Sequence, residues 1–111
     1  MSETEMKHCE VCEGGIEPLA VNELKVRLAK ELPKWQYDEK AKRITRKFEF
    51  KGFMRTMSFV NAVAWIANFE GHHPDLEVSY SFCVVNYQTH AVDGVTDNDF
   101  ICAKRIDALL K

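Results

Sequence analysis

The chain is expected to fold as an α+β sandwich in the order α-β-β-α-β-β-α, a four-stranded antiparallel sheet with helices packed on one face. Two observations predict this. Three stretches carry apolar residues every three to four positions, and between them lie two pairs of stretches whose apolar residues alternate. The 111 residues suffice for one core and one domain. Residues 1–19 are read as a flexible N-terminal arm and 20–111 as the single domain, because the start is polar and Gly14, Gly15 and Pro18 break any regular element.

The first helix is expected from Asn22, a favourable N-cap, through Leu24, Val26, Leu28, Ala29 and Leu32, with Pro33 as its stop. Trp35 and Tyr37, the polar run Asp38 to Lys42, and the alternation of Ile44, Arg46, Phe48 and Phe50 against Thr45, Lys47 and Glu49 describe a hairpin. Phe48 and Phe50 should face the core. After Gly52 the period changes: Phe53, Met57, Val60 and Ala64, with Phe59, Val63 and Ile66, mark a longer helix ending near Gly71, and this aromatic and methionine stripe is taken as core packing. Leu76, Val78, Tyr80 and Phe82, then Val85 and Tyr87, return to period two as two strands with a break between Cys83 and Asn86. Asp93-Gly94 reads as a turn. Thr96 and Asp99 have the spacing of a capping box that opens a third helix carrying Phe100, Ala103, Ile106 and Leu110. The open sheet face and free edges make homo-oligomerisation an expectation.

Composition narrows the function. An apolar fraction of 46%, a charged fraction of 29% and a formal charge of -2 describe an ordinary soluble domain with no basic footprint for nucleic acid. No apolar run reaches a membrane span and the acidic start is unlike a signal peptide, so a cytoplasmic protein with no membrane partner is expected. Cys83 and Cys102 lie in apolar periodic segments, where a reduced cysteine acts as a small hydrophobe. Cys9-x-x-Cys12 beside His8 is half of a zinc-site spacing without a second pair, and no metal is expected there.

The chemistry points to histidine. Of four histidines, His72, His73 and His90 fall within nineteen residues. Imidazole exchanges protons near neutral pH, so such a cluster suits acid/base work, although a single histidine is more often a hydrogen-bonded surface or core residue. Pro74 excludes helical backbone at His73 and makes the end of the second helix a stiff loop, while His90 lies just past the last strand. A three-histidine zinc site is disfavoured, because adjacent ligands orient poorly on one tetrahedral ion and no His-x-x-x-His spacing accompanies them. Asp99 has two compatible readings, a cap of the third helix and a carboxylate near His90 that orients or charges an imidazole.

Gly71-His72-His73-Pro74-Asp75-Leu76, Tyr80, Thr89-His90, Gly94, Thr96, Asp99 and Ile106-Asp107 closely resemble the pterin-4a-carbinolamine dehydratase family over about Trp35 to Leu110. The resemblance implies a hydro-lyase that removes water from 4a-hydroxytetrahydrobiopterin to leave quinonoid dihydropterin, recycling the pterin of an aromatic amino acid hydroxylase, phenylalanine hydroxylase in particular. It implies no metal or organic cofactor. By position, His72, His73 and His90 match the family's active-site histidines and Asp99 its motif aspartate, with His72 and His73 serving the leaving hydroxyl and N5 and His90 as the other acid/base partner. Substrate contacts fall on Gly71, His72, His73 and Pro74 and on Gln88, Thr89, His90 and Ala91, with Gln88 and Thr89 at the pterin's amide edge. The chain departs from the family with Asn68 where Glu is frequent four residues before the first histidine, Glu70 lying closer, with Leu76 in place of an aromatic, and with Ala91 in place of an acidic residue. A homodimer or homotetramer is implied. The alternative is a non-catalytic dimerisation or assembly cofactor built on the same fold.

Overall fold

A computed structural model describes residues 17–110. The elements are α1 (Val21–Glu31), β1 (Gln36–Asp38), β2 (Arg43–Glu49), α2 (Phe53–Glu70), β3 (Asp75–Val78), β4 (Phe82–Tyr87) and α3 (Asp97–Ala108). Among the described residues this is the order expected, with a 3-10 turn added at His90–Val92. The sheet is antiparallel throughout, in the order β1-β2-β4-β3, so β1 and β3 are its edges.

Register explains which face is buried. Ile44 pairs with Tyr87 and Phe48 with Cys83, and these side chains, together with Val85, are buried because all stand on the helix side of the pleat. The helices close over them with Leu24 and Leu28 from α1, Phe59, Val63 and Ile66 from α2, and Phe100, Ala103 and Ile106 from α3. Phe48 is the hub, with ring centroids 4.6 Å from Phe59 and 6.0 Å from Trp35. Each such aromatic pair adds about 0.5–1.5 kcal/mol beyond its buried area. Phe50 is only partly buried and packs its ring, tilted by 39°, against Phe59 from the rim.

Arg46 shares the inward parity of Ile44 and Phe48, which a charged residue tolerates only when fully partnered. Its guanidinium covers the Phe48 ring at 4.2 Å and donates to Asp107 at 2.7 Å, and the same Asp107 oxygen accepts the Trp35 indole N–H at 2.9 Å. Asp107 thus ties α3 to the first hairpin. Asp107→Ala should lower stability by about 2–3 kcal/mol, measured by urea denaturation, because it strands the Trp35 N–H and the Arg46 guanidinium, both on largely buried side chains, at once.

Five expectations are corrected. The first helix starts at Val21 with Ala20 as its N-cap, not at Asn22: Leu19 N–H is held by the Val95 carbonyl at 2.8 Å and Ala20 O accepts from Leu24, so the ladder begins earlier. Val26 (69% exposed) and Ala29 lie on the solvent side, leaving Leu24, Leu28 and Leu32 as the seam. The last hairpin turns at Ser79 to Ser81, where Ser79 N–H bonds Phe82 O, and β4 runs unbroken through Cys83 to Asn86; Tyr80 is therefore a turn residue, 68% exposed. α3 ends at Ala108, so Leu110 lies beyond it and outside the core. The α2 stripe also divides, since Phe59, Val63 and Ile66 are buried while Phe53 and Ala64 face outward along with Met54, Trp65 and Phe69. Helix α2 is apolar nearly all round, and its periodicity alone could not say which side meets the sheet.

The arm expected over residues 1–19 lies outside the described residues as far as residue 16, together with His8, Cys9 and Cys12. Among the described residues no helix is long and apolar enough to cross a membrane.

Candidate active site

Two chain segments meet at one end of the sheet, and local backbone chemistry shapes both. Helix α2 stops because Gly71 adopts φ 66° and ψ 28°, a left-handed conformation that side chains resist. The Ala67 carbonyl then accepts the N–H groups of both Gly71 and His72. Pro74 follows, and His72 and His73 occupy the short link before β3. In the second segment, β4 gives way to a loop closed by a Thr89–Gly94 bridge, with the 3-10 turn between them and Asp93 in a left-handed conformation at φ 50°. Lys42 holds the Asp93 carboxylate at 3.2 Å and braces this loop from the first hairpin.

Asp99 joins the segments. It is fully buried on the first turn of α3 and accepts three hydrogen bonds: from His72 Nε2 at 2.6 Å on one oxygen, and from the Thr89 hydroxyl at 2.8 Å and the Thr96 N–H at 2.9 Å on the other. An ionised carboxylate can only accept, so Thr89 gives it its single proton and Thr96 must donate its own hydroxyl to Thr89 Oγ1, 2.7 Å away. The same logic puts a proton on His72 Nε2. The capping box read from the sequence is present, and its carboxylate does more than cap.

The three histidines do not share one environment. His72 is 6% exposed, with its ring stacked on Tyr87 at 5.4 Å and its carbonyl accepting the Tyr87 hydroxyl at 3.3 Å. Burial disfavours its charged form, but the hydrogen bond and the negative charge of Asp99 outweigh that, and the His72 pKa lies above its ordinary value. His73 and His90 are exposed, and their imidazoles make no hydrogen bond among the described residues, although the His90 carbonyl accepts the Asp93 N–H at 3.2 Å. Each, however, directly follows a residue held by Asp99, His73 after His72 and His90 after Thr89. Neighbouring Cα atoms are about 3.8 Å apart, so one carboxylate fixes where both exposed imidazoles leave the chain.

Several sequence-based expectations meet this geometry differently. Asp99 serves His72 and not His90, although the sequence distance favoured the latter. The Thr89 side chain is 1% exposed, with its hydroxyl bonded to Asp99 and Thr96. Gln88 points away, its amide donating to the Ala41 carbonyl at 3.0 Å, because it follows the inward Tyr87 and takes the opposite side of the pleat. Gly71 and Ala91 are exposed and Pro74 half-buried beside the histidines. Tyr87 was read only as a strand residue. Its inward parity two positions before Thr89 was the signal that it reaches the site.

No group of three or more histidine, cysteine, aspartate or glutamate side chains among the described residues is arranged to hold a metal ion. Cys83 and Cys102 are buried free thiols, and burial pushes Cys83 up to about 11, far from thiolate chemistry at neutral pH.

Comparison with known proteins adds to this geometry. A family model described as Pterin 4 alpha carbinolamine dehydratase matches residues 17–109. A protein of Legionella pneumophila (strain Corby) is 52% identical over 109 residues, covering 98% of this chain and 96% of that protein, and one of Nitrosospira multiformis is 48% identical over 105 residues, covering 95% and 90%. Both carry the name "Putative pterin-4-alpha-carbinolamine dehydratase". A crystal structure of a transcriptional coactivator/pterin dehydratase from Brucella melitensis superposes with a TM-score of 0.79 at 29% identity, over 86% of this chain and all of that one. A pterin dehydratase-like protein identified as a RuBisCO assembly factor in the alpha-carboxysome shares the fold, with a TM-score of 0.61 at 21% identity over 68% of this chain and 88% of that one.

Proposed function

Because the chain belongs to the pterin 4 alpha carbinolamine dehydratase family, we propose that it dehydrates 4a-hydroxytetrahydrobiopterin to quinonoid dihydropterin and water. In this elimination the C4a–O bond breaks, the departing hydroxyl takes up a proton, and N5 loses one as the N5–C4a double bond forms. The step therefore needs one group that gives a proton and one that accepts it. Exposed His73 and His90 carry imidazoles, side chains able to give and take protons near neutral pH, and can fill these roles without a metal or organic cofactor. His72, whose charged form the Asp99 carboxylate favours, can supply positive charge that assists departure of the hydroxyl.

The observation that carries the reading is the Asp99 hub, which spends a fully buried carboxylate on locating three histidine-bearing backbone positions. A merely structural cap would need only the Thr96 N–H. The test is the rate of dehydration of synthetic 4a-hydroxytetrahydropterin followed by absorbance. Acceleration over buffer is expected, and a rate equal to buffer would remove the proposal. We further propose that the protein is cytoplasmic and works beside an aromatic amino acid hydroxylase, phenylalanine hydroxylase being the first to test, since that reaction class produces the hydroxylated pterin.

A second reading, an assembly or dimerisation role, is favoured by the outer face of α2. Trp65 and Phe69 stack there at 5.1 Å, more than half exposed, with Phe53 and Met54 also outward. Such a patch on a small domain calls for a partner, and a homodimer or homotetramer is the simplest occupant. Sedimentation equilibrium should show an oligomer that Trp65→Glu/Phe69→Glu converts to monomer. A wild-type monomer at micromolar concentration would reject it.

A further inference from the structure

The Glu70–Arg105 ion pair stands just behind the histidines and has no part in the proton transfers. Glu70 is the last residue of α2, where the exposed carbonyls already make the helix end negative and where a carboxylate is electrostatically misplaced. No basic residue lies in that last turn. Arg105 of α3 compensates instead, with Nε 3.3 Å from Glu70 Oε2, and the two side chains are only 5% and 2% exposed. Burying both charges is costly, and apolar residues of similar volume commonly do as well for stability. A role in stability alone therefore explains the pair poorly.

Its place in the fold suggests another role. Two residues beyond Glu70 lies His72, which bonds Asp99 on the same α3 helix. Asp99 and Arg105 are six residues apart, about 9 Å along the helix axis. The end of α2 is thus attached to α3 at two separated points, with opposite charge order: carboxylate to guanidinium at one, imidazole to carboxylate at the other. A single attachment leaves rotation about itself, whereas two fix direction as well as position.

We propose that Glu70 and Arg105 are positioning residues for the histidine loop, holding the α2 terminus so that His72 meets Asp99 and His73 projects in a defined direction. The catalytic part of this inference rests on the dehydratase reading; the geometric part does not. The experiment therefore has two readouts on the full chain. The double variant Glu70→Met/Arg105→Met leaves the net charge unchanged and removes neither of the groups that shift the His72 pKa, so a changed titration reports a changed His72–Asp99 geometry. Cys102, the other group bearing on His72, is left in place. The expected result is a folded protein by circular dichroism whose His72 titration, followed by NMR, moves down toward that of a solvated histidine, and whose kcat falls at least tenfold while KM changes less than threefold.

Should the double variant not fold, Glu70→Asp keeps the charge and shortens its reach by one methylene, and the same changes are expected in smaller measure. An unmoved His72 titration in a folded variant overturns the proposal. If the wild type has no dehydratase activity, the functional reading fails, and the NMR titration still decides whether the pair positions His72.

Discussion

Replacing Asp99 by asparagine is expected to cost about 3–5 kcal/mol of stability, a fall in melting temperature of roughly 10–25 °C, and to lower the dehydration rate by roughly 10²–10³-fold. The carboxylate has no solvent exposure and takes three donors, and the amide that replaces it presents an NH2 group to one of the places where only an acceptor fits. Calorimetry and the absorbance assay, the latter run where both proteins are folded, measure the two effects. The pH dependence adds a sign that a mere packing defect lacks. In the wild type the folded pKa of His72 is raised, so its contribution to stability is fully present below about pH 6.5 and is lost as pH rises through the folded value. In the variant, burial acts without the compensating carboxylate and the folded pKa falls below the unfolded one. The difference between the two proteins should therefore be greater at pH 6 than at pH 8, and an unchanged difference across that range would mean that Asp99 does not charge His72.

His73→Ala and His90→Ala should each reduce kcat by about 10²–10⁴-fold while leaving stability within about 0.5 kcal/mol, since both side chains are exposed and make no hydrogen bond among the described residues. That separation of activity from stability is the mark of a group kept for chemistry. If the two imidazoles act on the same step, the double variant will lose far less than the product of the single losses. Single variants that keep the wild-type rate would transfer the proton exchanges to His72 or to water, and the assembly reading would then gain.

Much of this architecture was legible before folding was considered. Periods of three to four and of two indicated the number and order of the helices and strands, and Gly71, Pro74 and the Thr96–Asp99 spacing marked element ends at which the site is built. What misled was equally physical. Ser79-Tyr80-Ser81 alternates as a strand does, so only the bond from Ser79 to Phe82 reveals the turn. Asn22 is a better N-cap than Ala20, but the Leu19–Val95 bond starts α1 earlier. Thr89 sits beside His90, but only the folded chain shows that its hydroxyl is bonded to Asp99.

The sequence by itself determined the α+β class, the order of the elements and the three histidines at their ends, because helix periodicity, strand alternation and caps act between residues a few positions apart. Tertiary structure alone decided that His72 is the buried histidine, that Asp99 reaches it across 27 residues and raises its pKa, that Arg105 meets Glu70, and that the apolar outer face of α2 remains uncovered in the single chain. Those pairings depend on how α2 and α3 pack against one sheet face, and a buried charge finds its partner through that packing.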